Sequence, residues 1–392
     1  MHRTVALALL LTLTGKSLMS QTTSPPASLP PGIQRILKTD RSGQAVSVRV
    51  PDQPLVFTGH VFGASESDDV RVETESALQA LEAVLARAGA ARSDVVRLNA
   101  YVVDEAAFEM VESVVATRFV DAPPAFTLVV SPLIQARARV AFDAVATSSR
   151  HPTQVEVLDA TAAILPAGGK LFISGQVVRG PDLASGTKLT MGGLFRSLAH
   201  LGLGKSDVVQ VKAFIQPFRD HAAAAQEITA SFAGGPVPPI VIMEWVSDIF
   251  TEIELVASSG KFPIKTGEGI GYTTFPWLTP SPRFSHACQV AAGTPLIFIG
   301  AIKGEESGDA RSQMKSLFER LGSVLFEAGS SYRNLAKATY YLQHPDTRTL
   351  LGDIRAVYYD PTRAPAASAL GVKSLGRPGR AAAVDLIAVP IK

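Results

Sequence analysis

The sequence contains one cysteine, Cys288, in 392 residues. That excludes an intrachain disulfide and a zinc site built from thiolates, and no metal site is expected. A lone cysteine is more often a small core residue than a nucleophile. His286 stands close by, but no third partner is visible for a cysteine–histidine pair. Excess charge is also lacking. Lys and Arg number 37 against 35 Asp and Glu, a formal net charge of +2. With no dense basic tract, nucleic acid is not an expected partner. No stretch reaches the roughly 18 unbroken apolar residues of a membrane-spanning helix. Nothing calls for a cofactor, and none is expected.

What is present suits packed globular domains: 46% hydrophobic and 18% charged residues. Met1-His-Arg3 is a short basic start before the apolar run Val5–Leu13, with small residues near Ser17 and Ser20. Residues 1–20 read as an export signal, although Lys16 and Leu18 are unusual near a cleavage site. A Thr/Ser/Pro-rich lead-in, read as flexible, follows over 21–43. This predicts a periplasmic or secreted protein; the alternative is a cytoplasmic chain with an apolar N-terminal patch.

One pattern then occurs three times. Leu55-Val-Phe-Thr-Gly-His60, Lys170-Leu-Phe-Ile-Ser-Gly-Gln176 and Leu296-Ile-Phe-Ile-Gly-Ala301 are apolar runs reaching a glycine. Each precedes an amphipathic helix and a second apolar run, beginning at Asp94, Asp207 and Asn334. The glycines Gly59, Gly175 and Gly300 are 116 and 125 residues apart, a period long enough for a module with its own core. The chain is therefore read as modules over 44–147, 155–258 and 282–392.

In module one, Ala77, Leu78, Leu81, Val84 and Leu85 fall on one helix face, and Gly89 ends that helix. Met191, Leu194 and Leu198, then Met314, Leu317 and Leu321, repeat the face before Gly202 and Gly329. Val96, Leu98, Ala100 and Val102 alternate with Arg97, Asn99 and Tyr101, the pattern of a half-buried strand. A second helix, stopped by prolines, and two closing strands complete each module. The fold class is α+β, with two helices on one face of a mixed sheet. A sheet covered on one side needs a partner on the other. Three such sheets can cover one another around a common axis, giving a monomer that acts as a pseudo-trimer.

The order of these motifs resembles the Rid family, also called YjgF or endoribonuclease L-PSP-like proteins. Ser174-Gly175-Gln176 is similar to its serine-glycine-glutamine turn, and Ser93-Asp94-Val95-Val96 and Ser206-Asp207-Val208-Val209 to its serine-aspartate-valine-valine segment. Thr251-Glu-Ile-Glu-Leu-Val-Ala257 resembles its closing strand, and Pro282-Arg-Phe-Ser-His-Ala287 its N-terminal segment. The resemblance implies a chorismate mutase-like fold and a trimer with ligand clefts between subunits, reproduced here within one chain.

It also implies a chemistry. Members with imine/enamine deaminase activity carry a Pro-Ala-Arg segment whose arginine holds the substrate carboxylate, and a closing-strand glutamate that activates water. Here the arginine is replaced by Phe126, by Ile240 (or Val237 if counted back from Glu254) and by Ala367. Arg137, Arg139, Arg363 and Arg380 lie nearby in sequence but read more simply as surface charges. The acidic position is kept as Asp143, Glu254 and Asp385, with Glu254 the candidate catalytic group; packing is an equal reading for all of them. The candidate ligand-binding set is Ser174, Gly175, Gln176, Glu252, Asp143, Asp385 and His60, although a lone histidine is more often structural. The expected partner is a small molecule, such as an imino or enamine acid or another metabolite. The expected function is small-molecule binding with degenerate or weak deaminase capacity. The alternatives are an active deaminase with a substituted anion clamp and, less favoured, an endoribonuclease.

Overall fold

Three short hairpins precede the three modules, and each pairs with a sheet other than that of the strand it leads into. The first is β1 (Gln34–Asp40) with β2 (Gly43–Val50). It begins within the stretch read from sequence as a flexible lead-in. Ile36 nevertheless packs on the core of module three, and Val48 and Val50 pack among the sheets. The computed structural model describes residues 32–40, 43–63, 67–260, 269–305, 308–344, 346–376 and 379–391, so the export reading lies outside the described residues.

Module one continues with β3 (Leu55–Thr58), β4 (Val61–Phe62), α1 (Val70–Arg87), β5 (Val95–Val102), α2 (Phe108–Arg118), β6 (Ala125–Val130) and β7 (Val140–Thr147). The second hairpin is β8 (Glu156–Asp159) with β9 (Ala162–Leu165). Module two has β10 (Gly169–Gln176), α3 (Leu183–His200), β11 (Val208–Ile215), α4 (His221–Ser231), β12 (Ile240–Glu244) and β13 (Thr251–Gly260). The third hairpin is β14 (Ile270–Thr273) with β15 (Ala287–Val290). Module three has β16 (Leu296–Lys303), α5 (Ala310–Glu327), β17 (Leu335–Leu342), α6 (Thr347–Tyr358), β18 (Ala366–Gly371) and β19 (Ala382–Ala388).

The three sheets share one strand order: β6-β5-β7-β3-β9-β8, β12-β11-β13-β10-β15-β14 and β18-β17-β19-β16-β2-β1. The hairpin after module one thus completes sheet one, and the hairpin after module two completes sheet two. The N-terminal hairpin completes sheet three, with Val50 opposite Leu296. The sheets therefore do not coincide with the spans drawn from the repeat. Residues 51–54 and 166–168 carry the chain from a strand of one sheet into a strand of the next.

Local signals explain the helices. Asp69, Asp182 and Asp309 cap α1, α3 and α5, accepting backbone N–H bonds from Arg71, Ser185 and Ser312. Gly89, Gly202 and Gly329 follow the same helices at φ of 73°, 72° and 73°. The predicted apolar faces are buried, each against the outer face of its own sheet. Each buried Leu or Phe contributes about 1.5–3 kcal/mol. The inner faces meet one another: Phe57, Val96, Phe172, Val209, Phe298 and Ala336 belong to one apolar cluster drawn from all three modules. One strand departs from expectation. The alternation in β5 predicts a half-buried strand, yet all of its residues are buried. Its polar face turns to the axis shared by the three sheets, where partners from another module wait.

Candidate functional site

Strand register aligns the modules residue by residue. Asn99 lies opposite Asp143, Lys212 opposite Glu254 and Thr339 opposite Asp385, so the three carboxylates are equivalent. All three point to the axis, and each is held by a cation of a different module. Arg97 Nη2 is 2.7 Å from Asp385 Oδ1, Lys212 Nζ is 3.2 Å from Asp143 Oδ1, and Lys337 Nζ is 2.6 Å from Glu254 Oε2. The pairs form a cycle: module one to three, two to one, three to two. Asn99 Nδ2 donates to Asp143 at 2.9 Å and Tyr341 Oη to Asp385 at 2.8 Å. Tyr101 Oη also donates to Asp143. Burial first, and Asp143 second, push the Tyr101 hydroxyl well above its ordinary range. A cavity of about 30 Å³ lies among these side chains, room for one or two waters. Arg97 Nε and Asn99 Oδ1, which have no protein partner, belong to residues lining it.

The cation is not at one repeated position. Arg97, Gln210 and Lys337 are equivalent, as are Asn99, Lys212 and Thr339. Module two carries its charge two residues further along the strand, and Gln210 donates instead to Thr58 O at 2.7 Å. Sequence reading missed this set of cations. The polar half of the β5 alternation was the available signal.

The cleft between modules two and three is different. Glu252, two residues from Glu254, is 6% exposed and lies against the β10 turn. A Cβ built on Gly175 would stand 2.0 Å from Glu252 Oε1, so glycine makes room for the carboxyl. Burial pushes the Glu252 carboxyl up to about 7, against the opposing charge of Arg348 on α6 and with help from Glu254. The Arg348 guanidinium lies over Trp245, 5.9 Å from the ring centre. Ser368 of β18 donates to Glu254. The equivalent of Glu252 is Ala141 in module one and Ala383 in module three. At the other two contacts the same glycine faces backbone instead of a carboxyl. A Cβ on Gly300 would stand 2.5 Å from Phe126 N, and one on Gly59 3.1 Å from Ile240 O.

The remaining predicted residues have structural contacts. Ser174 Oγ donates to Ser285 O at 2.6 Å and accepts from Ala367 N at 2.7 Å, joining β10 to β18. Gln176 Nε2 donates to Ser197 Oγ of α3 at 2.8 Å. Parallel register sets Phe126, Ile240 and Ala367 opposite Leu98, Val211 and Ala338, so Ile240 rather than Val237 is the matching position. Arg139 is 3.8 Å from Asp104, and Arg380 donates to Gly304 O at 2.7 Å. His286 accepts from Phe275 N at 2.9 Å, while Cys288 accepts from Ala366 N at 3.2 Å. Burial pushes the Cys288 thiol up to about 12, so it is no nucleophile.

His60 is buried beside Phe62 and Tyr101, with both ring nitrogens lacking a partner. Burial, against the pull of Asp143, lowers its pKa from 6.5 to about 4. The unfolded chain therefore binds the proton more readily, and the stability present above pH 6.5 is lost as pH falls toward 4. Replacing His60→Gln should remove this slope. Chemical denaturation of both proteins at pH 7 and pH 4.5 would show it, and equal acid sensitivity would refute the assignment.

These features define a single-chain pseudo-trimer with inter-module clefts. A family model described as Endoribonuclease L-PSP matches residues 44–148 and 278–390, more than half of the chain. The chain belongs to this family. Among solved structures it is similar to a YjgF-family protein from Mycobacterium tuberculosis at 33% identity, covering 26% of this chain and 83% of that one, with a TM-score of 0.23. A YjgF-family protein from Neisseria meningitidis is 20% identical, covering 32% and 99%, with a TM-score of 0.24. A Rid-family protein of unknown function from Yersinia pestis is 19% identical, covering 31% and 98%, with a TM-score of 0.28. No curated protein matches the chain.

Proposed function

We propose that the chain binds a small molecule in the cleft between modules two and three and there hydrolyses an imine or enamine weakly, with Glu252 as the acid–base group. The observation that carries this reading is the Glu252 carboxyl, buried against Gly175 and poised at about 7. A carboxyl at that value exists in both forms near neutrality, so it can protonate an imine nitrogen and take a proton from the attacking water. The bond that breaks is carbon–nitrogen, with water supplying the new oxygen and ammonia leaving. Glu254 is less suited, because Lys337 holds it as an ion pair at 2.6 Å. The absence of arginine at Ala367 argues for a weak reaction. A lost charge-assisted bond is worth about 1.5–3 kcal/mol, or roughly ten- to a hundredfold in binding.

Hydrolysis of 2-iminopropanoate by the purified chain should be slow, rise and fall around pH 7, and drop about a hundredfold or more in Glu252→Gln. If Glu252→Gln hydrolyses the imine as fast as the unaltered protein, the acid–base role is wrong. The other two clefts have Ala141 and Ala383 at this position and should contribute nothing.

A further inference from the structure

The first turn of α6 belongs to module three but reaches Trp245 of module two, through Arg348. One turn further along the same helix is Gly352. Residues four apart share a helix face and are separated by about 6 Å along the axis. The Arg283 guanidinium, from the segment before β15, lies on Gly352. Its Cζ, Nη1 and Nε stand 2.9, 3.0 and 3.2 Å from where a Cβ would be. The fold thus brings two arginines from separate segments onto one face of one helix. Neither has an ion-pair partner among the described residues, and the nearby Asp353 lies 3.9 Å from Arg311 instead. Two guanidinium groups without a close ion pair leave donors for an anion, although the buried Glu252 carboxyl faces Arg348. The Trp245 indole under Arg348 keeps its N–H buried without a partner. Arg348 is also the strongest charge acting on Glu252, which ties the helix face to the cleft.

We propose that Arg348 and Arg283 form a two-guanidinium receptor at the edge of this cleft that selects a small dicarboxylate, one carboxylate on each arginine. The planar fork of a guanidinium matches a carboxylate through two parallel hydrogen bonds. Two forks held at successive turns of one helix suit two planar anions on a short linker better than a single tetrahedral one. Gly352 is then a specificity position, since any side chain there displaces Arg283. This receptor rests on the reading of the cleft as the ligand site.

Calorimetric titration of the full chain with succinate, acetate and inorganic phosphate tests it. Succinate is expected to bind at least about tenfold more tightly than acetate, corresponding to about 1.4 kcal/mol. Arg348→Ala and Arg283→Ala should each lower succinate affinity about ten- to a hundredfold, toward that of acetate. Arg348→Lys should not restore it, because an ammonium lacks the fork. Gly352→Ala, a change that favours the helix, should weaken succinate like the loss of Arg283. Succinate binding no tighter than acetate, or unchanged in both arginine variants, would overturn the receptor, and so would phosphate binding most tightly. If Glu252→Gln abolishes imine hydrolysis while the arginine variants bind succinate normally, the receptor fails and the acid–base reading stands. Arginine-dependent succinate binding without any imine hydrolysis supports the receptor and removes the acid–base reading instead.

Discussion

Asp385→Ala is expected to destabilise the folded chain by about 3–5 kcal/mol, the cost of leaving a buried arginine without its counter-ion. Arg97 and Asp385 are 9% and 3% exposed at their side chains, so bulk water does not replace the lost counter-charge. The damage should reach beyond one module, because the pair joins module one to module three. Tyr341 also loses its acceptor. Arg97→Met with Asp385→Leu should recover most of the loss, since replacing both partners removes the orphaned charge along with its desolvation cost. Urea denaturation of the single and double variants at pH 7 measures this. A loss below about 1 kcal/mol for Asp385→Ala would place the pair with weak surface bridges.

The second large effect concerns Glu252. Its folded pKa is raised from 4.5 to about 7, so the folded chain holds the proton more tightly than the unfolded one. Its contribution to stability is full below pH 4.5 and is lost as pH rises through 7. Glu252→Gln, which keeps the shape without the charge, should match the unaltered protein below pH 4.5. At pH 8 it should be more stable by up to roughly 3 kcal/mol, at 1.36 kcal/mol per pK unit. A residue that costs stability at working pH while supporting a reaction is typical of a functional site. Equal stability of the two proteins at pH 8 would show that the carboxyl is not strained by burial.

Much of this architecture was legible in local patterns. The glycines at 59, 175 and 300, the three leucine-rich helix faces and the glycines that end those helices lie within short windows where local patterns operate. The site was less legible. Ser174 and Gln176 were read as ligand contacts, and in the fold their side chains bond Ser285, Ala367 and Ser197. Glu252 and Glu254 looked alike in sequence, two residues apart on one strand face. They are separated by what other modules bring: Lys337 to Glu254, and Arg348 to Glu252. Trp245 and Arg348 meet from 103 residues apart in the sequence, and no local pattern marks such a contact. The hairpins were not legible for a related reason: the strand they pair with is chosen by the arrangement of the sheets, not by their own residues.

That exchange of hairpins sets the order in which the chain can be finished. As the chain leaves the ribosome, β2 is among the first strands to emerge, yet its partner β16 is among the last made. Joining ends so far apart costs about 5 kcal/mol in loop entropy, so the ring shuts late, after the rest has docked. Until then the nascent chain exposes the Val48 and Val50 edge at its start and the bare edge of sheet three at its end. A second nascent chain offers the same two edges, and at high concentration the first hairpin of one can enter the third sheet of another. The resulting species would be a linked pair or a longer string, built from the same strand pairings as the single chain.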